Sequence, residues 1–281
     1  MLSRIFSTLI LWSVILGSLY FFGADAAVVL ITLLSALTLH EFYGMTKKMG
    51  ARPFHWMGIS IGVLITAVPY YLTIYRDAPE FVQDIPTGLL VLTLLISCGR
   101  VLGERDATNR VETIATTVVG VLYIPFMLHF LVSILMLEGR EPSENLALCL
   151  WFVAVSKFCD VGALITGLAI GRHKMSPNIS PKKTWEGAIG GVLVSCGVGA
   201  TIAHFGAAFF PADMTPLVAA LIAAPIAIVT IVSDLIESVI KRRADTKDTG
   251  ALIPGIGGAF DLVDSLILTA PVAYFIFLFL E

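Results

Sequence analysis

Charged residues are scarce in this sequence. Asp, Glu, Lys and Arg make up 14% of its 281 residues, whereas 57% are hydrophobic. A soluble domain usually carries about 25% charged residues, so this chain has too little polar surface to cover itself in water. The mean hydropathy of +0.89 points the same way. We therefore exclude a soluble globular domain and predict an all-α polytopic membrane protein.

The sequence also lacks the cysteine and histidine patterns of metal-binding or disulfide-rich proteins. Its four cysteines lie in or beside apolar runs without a C-x-x-C spacing, and its five histidines form no H-E-x-x-H pattern. These absences argue against a disulfide framework and a zinc site, so we interpret the cysteines as small buried hydrophobic residues.

Long apolar runs are what the sequence has instead. A helix needs roughly 20 residues to cross about 30 Å of hydrocarbon, and nine runs are long enough or nearly so. The first run resembles a signal peptide, but it exceeds the usual apolar length of roughly 7 to 15 residues, and we expect a retained span. The fourth run is the weakest. The runs are 5–22, 26–42, 56–75, 87–102, 114–137, 146–170, 187–209, 215–240 and 262–280.

The basic residues predict the orientation of these spans. With a cytoplasmic N-terminus, all but three of the 18 Lys and Arg residues fall in cytoplasmic segments, and the exceptions are Arg76, Arg140 and Lys157. This distribution obeys the positive-inside rule. It places the C-terminus outside and the two largest polar segments, 171–186 and 241–261, in the cytoplasm.

Two groups of polar residues in the middle of the chain are candidates for chemistry. Lys157 and Asp160 lie three residues apart in the sixth run and share a helix face, either as a packing ion pair or as functional groups. The following loop offers cations and hydroxyl groups that suit phosphate, although an ordinary positive-inside loop would also be basic. Thr184 could cap the next helix. The loop residues with these properties are Arg172, His173, Lys174, Ser176, Ser180, Lys182, Lys183 and Thr184.

Acids gather at the cytoplasmic ends of the last two runs. Asp234, Glu237 and Lys241 line one face of the eighth helix, and Asp261 and Asp264 begin the ninth. Four carboxylates at a membrane edge would repel one another, so a divalent cation is a natural resolution, and Mg²⁺ prefers carboxylates and substrate phosphates. The helix dipole alone would favour one acid at the start of a helix.

The residues from Ser238 to Asp264 resemble the signature of the phosphatidate cytidylyltransferases, also called CDP-diacylglycerol synthases. The stretch SPKKTWEG at 180–187 and Asp160 followed by Gly162 resemble further family motifs. The resemblance covers roughly 150–270, and the N-terminal half agrees only in having several spans. The matching signature residues are Ser238, Lys241, Arg242, Lys247, Asp248, Gly250, Pro254, Gly257, Gly258, Asp261 and Asp264.

Three positions depart from that signature. Ile256 stands where the family has histidine, Leu262 where it has arginine, and Ala259 where it has a larger apolar residue. The reaction does not demand the histidine, because a phosphate monoester is already ionised near neutral pH. We therefore interpret the departures as variation within the family.

The resemblance implies transfer of the cytidylyl group from CTP to phosphatidic acid, giving CDP-diacylglycerol and pyrophosphate in phospholipid biosynthesis. It implies an active site on the cytoplasmic face of the cell inner membrane, with residues 1–145 as membrane helices and 146–281 as the catalytic part. It also implies that Asp234, Asp261 and Asp264 hold Mg²⁺, with Lys241 and Lys247 catalytic. The implied substrate-binding residues are Asp160, Ser180, Lys182, Lys183, Thr184, Glu237, Arg242, Asp248, Gly257 and Gly258.

Other interpretations stay open at this point. An ion-coupled transporter could use Asp160, Asp234 and Glu237 as a relay, and a catalytically silent lipid-binding relative would fit Ile256 and Leu262. A CDP-alcohol phosphotransferase is a nearer rival, but its Asp-rich motif is absent. The glycine-rich seventh run predicts close helix packing, more readily inside the chain than at a homodimer seam. We expect the lipid bilayer as a partner, and no nucleic acid.

Overall fold

A computed structural model describes residues 2–76, 80–103, 109–246, 249–250 and 257–280, and of residues 2–12 and 80 it describes the backbone alone. The described chain is helical apart from one two-stranded hairpin and the connecting turns. Its helices are α1 (Leu2–Lys48), α2 (His55–Arg76), α3 (Ile85–Gly103), α4 (Arg110–Val121), α5 (Met127–Ile134), α6 (Pro142–Ile170), α7 (Trp185–Phe205), α8 (Pro216–Arg243), α9 (Ala259–Ile267) and α10 (Thr269–Leu278). The strands are β1 (Lys174–Ser176) and β2 (Ser180–Thr184), and a π-helical turn, Leu122–Phe126, joins α4 to α5.

Eight helices of the described residues are long and apolar enough to cross a membrane, which confirms the polytopic all-α class. The sequence predicts nine spans, and the difference lies in α1. The part of α1 counted as a span, Ser13–Lys48, has 36 residues, about 54 Å of helix, which exceeds one crossing of about 30 Å. The helix is broken at Gly23, where φ is 56° and ψ is −131°, a conformation that glycine adopts readily and other residues do not. The predicted runs 5–22 and 26–42 lie on either side of this break.

The chain forms two compact units that interleave along the sequence. The first unit comprises Met1–Val132 and Arg243–Val263, and the second comprises Ser133–Arg242 and Asp264–Glu281. The predicted division between 1–145 and 146–281 stays a prediction about function. The sides of the membrane on which the termini lie also stay predictions.

The core of the first unit is built around Tyr43 of α1. Its side chain is fully buried, and its hydroxyl donates a hydrogen bond to the carbonyl of Thr117 in α4 at 2.9 Å. Gly58 in α2 and Gly120 in α4 lie against the tyrosine ring, where any Cβ would overlap it. Glycine at these two places lets three helices pack around one large side chain.

The second unit is built around a seam of small residues between α6 and α7. A Cβ on Gly187 would lie 2.8 Å from the carbonyl oxygen of Ala163, and one on Gly191 would lie 2.8 Å from that of Cys159. Gly187 and Gly191 thus allow the backbone of α7 to contact α6 directly, which confirms the predicted close packing inside the chain. Cys149 and Cys159 are buried as predicted, but Cys98 is exposed on α3, so its predicted burial is wrong.

Candidate active site

Three carboxylates converge in the second unit. Asp234 and Glu237 lie on α8, one turn apart, and Asp264 lies on α9. One oxygen from each lies within 4.8 Å of the others, a spacing that would suit a shared cation. The Ser233 hydroxyl donates to the Asp264 carbonyl, and the Leu268 amide donates to the Ser233 oxygen at 3.5 Å. These bonds fix α9 against α8 and thereby hold the acids together.

Each of the three acids has its own lysine partner. Lys157 from α6 lies 3.4 Å from Asp264, Lys183 from β2 lies 2.5 Å from Asp234, and Lys241 from α8 lies 2.5 Å from Glu237. Glu237 has a relative exposure of only 2%. A buried carboxylate is costly without a compensating charge, so the lysines stabilise the cluster. They also place three cations next to the position that a metal and an anionic substrate would share.

Lys157 of α6 contacts two residues of α9. Its ammonium group donates to the hydroxyl of Ser265 at 2.7 Å as well as contacting Asp264. Asp160, one turn further along α6, lies close enough to Lys157, Asp234 and Asp264 to interact with them electrostatically. The predicted pair on α6 therefore belongs to the same polar centre as the acids of α8 and α9.

The basic loop folds into a hairpin. Strands β1 and β2 pair antiparallel. The Glu186 carboxylate lies 2.5 Å from the imidazole of His173 and accepts from its backbone amide at 3.2 Å, which closes the base of the hairpin. Thr184 caps α7 as predicted, because its hydroxyl oxygen accepts from the Gly187 amide at 3.1 Å. Arg242, a predicted substrate ligand, donates to the carbonyl of Ile179 in the hairpin turn at 3.2 Å.

An open cavity of about 570 Å³ lies beside these groups within the second unit. Lys174, Lys182 and Lys183 of the hairpin line its polar part, together with Asp160, Thr184 and Asp234. Leu164 and Leu168 of α6 line its apolar part and are 62% and 80% exposed. The cavity therefore brings together most of the loop residues predicted to bind substrate. Ser180 lies on β2 and is not among the residues that line it.

Asp261, the remaining predicted metal ligand, is described with the first unit. Its carboxylate accepts hydrogen bonds from the Thr249 hydroxyl at 3.0 Å and the Gly258 amide at 2.8 Å. Gly257 has a φ of 120°, and a Cβ there would lie 2.5 Å from the Asp261 carboxylate. Gly257 and Gly258 thus lie closely against this acid. The metal role of Asp261 stays a prediction, and Lys247, Asp248 and Ile256 lie outside the described residues.

Sequence reasoning missed one acid of the first unit. Glu41 of α1 accepts hydrogen bonds from the amides of Ala259 and Phe260, both at 2.9 Å. These amides begin α9, so Glu41 caps that helix from 218 residues away. The available signal was an acid within an apolar run, which is by default a functional candidate in a membrane helix.

The chain is similar to several proteins named phosphatidate cytidylyltransferase, to one of them over nearly its whole length. The model of the cytidylyltransferase family matches residues 2–280. A phosphatidate cytidylyltransferase of Synechocystis is 31% identical over 285 residues, covering 93% of this chain and 89% of that protein. The phosphatidate cytidylyltransferase of Rickettsia bellii is 35% identical over 66% of this chain and 78% of that protein. That of Mycobacterium bovis is 33% identical, and the alignment spans 54% of its length.

Proposed function

The chain belongs to the cytidylyltransferase family, and on that premise we propose that it transfers the cytidylyl group of CTP to phosphatidic acid. The products are CDP-diacylglycerol and pyrophosphate. The observation that carries this proposal is the family match over residues 2–280, and the cluster of acids and lysines in the second unit supports it. The enzyme is a multi-pass membrane protein.

The reaction asks the protein for positioning and charge stabilisation more than for covalent chemistry. An oxygen of the lipid phosphate attacks the α-phosphorus of CTP. The bond between this phosphorus and the oxygen that bridges it to the β-phosphorus breaks, and pyrophosphate leaves. The attacking phosphate is already ionised, so no side chain has to remove a proton from it. Aligned reactants and fixed positive charge around the phosphoryl group supply the rate acceleration.

The donor set of the second unit fits Mg²⁺. Asp234, Glu237 and Asp264 offer hard oxygen ligands close together, and Mg²⁺ favours carboxylates combined with water and substrate phosphates. When bound, the ion would neutralise phosphate charge and help to orient the transferred group. Glu237 thereby joins Asp234 and Asp264 as a proposed ligand, and Asp261 stays one on the family resemblance.

The lysines that neutralise the acids are suited to exchange partners when substrate arrives. Lys183 is paired with Asp234 and also lines the cavity, together with Lys174 and Lys182 of the same hairpin. An ammonium group can leave a carboxylate for a phosphate oxygen at little cost when a cation takes its place at the carboxylate. We assign Lys182, Lys183 and Thr184 to the triphosphate of CTP.

The apolar part of the cavity suits the lipid substrate. Leu164 and Leu168 are exposed on a helix that is long and apolar enough to span the membrane. The acyl chains of phosphatidic acid can therefore lie along α6 within the bilayer while the phosphate of the lipid reaches the polar part of the cavity. The distribution of basic residues supports a polar part that faces the cytoplasm, where CTP is available, in the cell inner membrane.

A homodimer remains a prediction from the small residues of α7. Several of these glycines pack against α6 within one chain, so less of the α7 surface is left for a second chain. Light scattering of the purified protein in detergent, corrected for bound detergent, measures the protein mass. A mass of one chain, 30.2 kDa, would contradict the dimer.

The experiment that tests the activity is incubation of the purified protein with phosphatidic acid and CTP labelled either at the α- or at the γ-phosphorus. We expect the α-label in CDP-diacylglycerol and the γ-label in pyrophosphate, in equal amounts, with turnover lost on chelation by EDTA and restored by Mg²⁺. A γ-label in lipid would indicate phosphoryl transfer instead. No turnover by a folded preparation would favour the silent lipid-binding relative, and EDTA resistance would contradict the Mg²⁺ proposal.

A further inference from the structure

Glu41 contacts the segment that carries the family signature, although it lies far from it in sequence. Its two carboxylate oxygens accept one hydrogen bond each from the amides of Ala259 and Phe260, at 2.9 Å. These are the first two residues of α9, whose N–H groups have no partner within the helix. All three residues belong to the first unit. One carboxylate thus fixes the start of the helix on which Asp261 lies.

Two signature glycines make room for this carboxylate. A Cβ added to Gly250 would lie 2.5 Å from an oxygen of Glu41, and one added to Gly258 would lie 2.7 Å from the same oxygen. Contacts below 3.0 Å require something to shift. Glu41 therefore fills the space that these glycines leave in the first unit, and its carboxylate fits tightly against them.

Two residues close to Glu41 orient Asp261. Thr249 and Gly258, which flank the position of the Glu41 carboxylate, both donate hydrogen bonds to the carboxylate of Asp261, at 3.0 Å and 2.8 Å. Displacement of Glu41 would free the first amides of α9 and change the position of Gly258. Asp261 would then lose the donor geometry that sets its direction.

A helix cap that served stability alone would not need this arrangement. A Ser, Thr or Asp at position 258 would cap α9 locally, and these are the residues that helices favour there. The chain has Gly258 instead, and it places an acid inside an apolar span, where ionisable groups are expensive and mark function. Such a placement is expected where the position of the helix start matters to the reaction.

We propose that Glu41 is a positioning residue for the cytidylyl transfer, which holds the first turn of α9 and Gly258 so that Asp261 keeps its working direction. The inference rests on the proposed function, in which Asp261 is a proposed metal ligand on the family resemblance. Glu41 itself touches no substrate in this account. It acts through the backbone amides of α9.

The first test compares Glu41→Gln, Glu41→Asp and the control Glu112→Gln, an exposed acid of the same unit. The glutamine amide can accept from only one of the two backbone amides, so alignment is lost. We expect kcat for CDP-diacylglycerol formation to fall roughly 10- to 100-fold, the Mg²⁺ concentration for half-maximal activity to rise, and KM for CTP to change far less. Glu41→Asp keeps the charge and should recover part of kcat. A kcat and Mg²⁺ requirement equal to those of Glu112→Gln would overturn the proposal.

A second test does not depend on the stability of one variant. Gly250→Ala places a methyl group against Glu41, so it should lower kcat in the wild-type background but cause little further loss when Glu41 is already alanine. Equal losses from Gly250→Ala in both backgrounds would show that the glycine is needed for another reason. Wild-type protein without turnover would count against the proposed function, whereas active wild type with an unaffected Glu41→Gln variant would count against the positioning role alone.

Discussion

Three lysines neutralise the three acids of the cluster, so the effect of a single substitution there depends on which partner it leaves behind. Lys183 is the lysine that both pairs with an acid, Asp234, and lines the cavity. Its removal would take from Asp234 the lysine with which it pairs and would take a positive charge from the triphosphate. Both losses act on CTP binding and on the charge that develops during transfer.

We predict that Lys183→Ala lowers kcat/KM for CTP by roughly 10- to 100-fold, since a hydrogen bond to a charged group contributes about 1.5–3 kcal/mol and each 1.4 kcal/mol is a factor of ten. Lys183→Arg should retain more activity than Lys183→Ala because it keeps the charge. Initial rates at varied CTP measure the effect. The control is Lys48→Ala, an exposed lysine at the end of α1. A change of less than twofold in Lys183→Ala would contradict the assignment.

Single residues also mark where sequence reasoning stops. Asp264 and Lys241 were predicted site residues from the family signature, Lys183 from the SPKKTWEG motif, and Asp234 from its helical spacing. The structure brings these four residues together in one unit. Lys157 pairs with Asp264 across 107 residues, and Glu41 reaches Ala259 across 218. Contacts of that kind depend on how helices pack, which no local pattern specifies.

At the scale of elements, the seam between α6 and α7 carries the hairpin and its lysines at one end. The seam depends on backbone contact, because Gly191 lies where a Cβ would be 2.8 Å from the carbonyl oxygen of Cys159. Gly197, on the same helix, has no heavy atom of the described residues within 4 Å of its Cβ position. Alanine at each of these two glycines therefore compares a packed and an unpacked position on the same helix.

We predict that Gly191→Ala destabilises the protein by about 1–3 kcal/mol, the usual cost of forcing an extra group into a packed site. Gly197→Ala should be neutral or slightly stabilising, because alanine favours helix over glycine by up to about 1 kcal/mol. Thermal unfolding of both variants in detergent, followed by the loss of monodisperse protein, provides the comparison. Equal melting temperatures would argue against a tight seam.

The elements differ in how far the sequence predicts them. Apolar runs predicted the spanning helices well, including the weak fourth run, which lies in α3. The break at Gly23 within α1 was visible in the sequence only as a gap between two apolar runs, because a single glycine does not by itself predict a break in a helix. The strands of the hairpin, β1 and β2, were not predicted, because the charged and proline-containing residues of this loop show no strand pattern.

At the scale of the whole molecule, the relation to known proteins extends beyond the residues that first suggested it. The signature covers roughly the C-terminal half, whereas the family match covers residues 2–280. The N-terminal half therefore belongs to the enzyme as a family feature. Within the first unit, Glu41 of α1 accepts hydrogen bonds from the amides that begin α9.

The orientation of the molecule in the membrane is a prediction at this scale. We expect the tip of the hairpin in the cytoplasm and the segment before α6 outside, following the basic residues. Single cysteines at Asn178→Cys and Glu141→Cys, both exposed positions, test this in a variant with the four natural cysteines replaced. A membrane-impermeant maleimide should label Glu141→Cys in intact cells and Asn178→Cys only after permeabilisation. The reverse pattern would contradict the predicted topology.

The central claim is that the acids of α8 and α9 form the catalytic centre of cytidylyl transfer. One comparison of turnover tests this claim most directly. Asp264→Asn removes a carboxylate of the cluster at constant size, and Asp213→Asn does the same at an exposed position of the same unit. With saturating CTP, phosphatidic acid and Mg²⁺, we predict that Asp264→Asn loses at least about 100-fold in kcat, while Asp213→Asn stays close to wild type. Near wild-type turnover by folded Asp264→Asn would contradict the account.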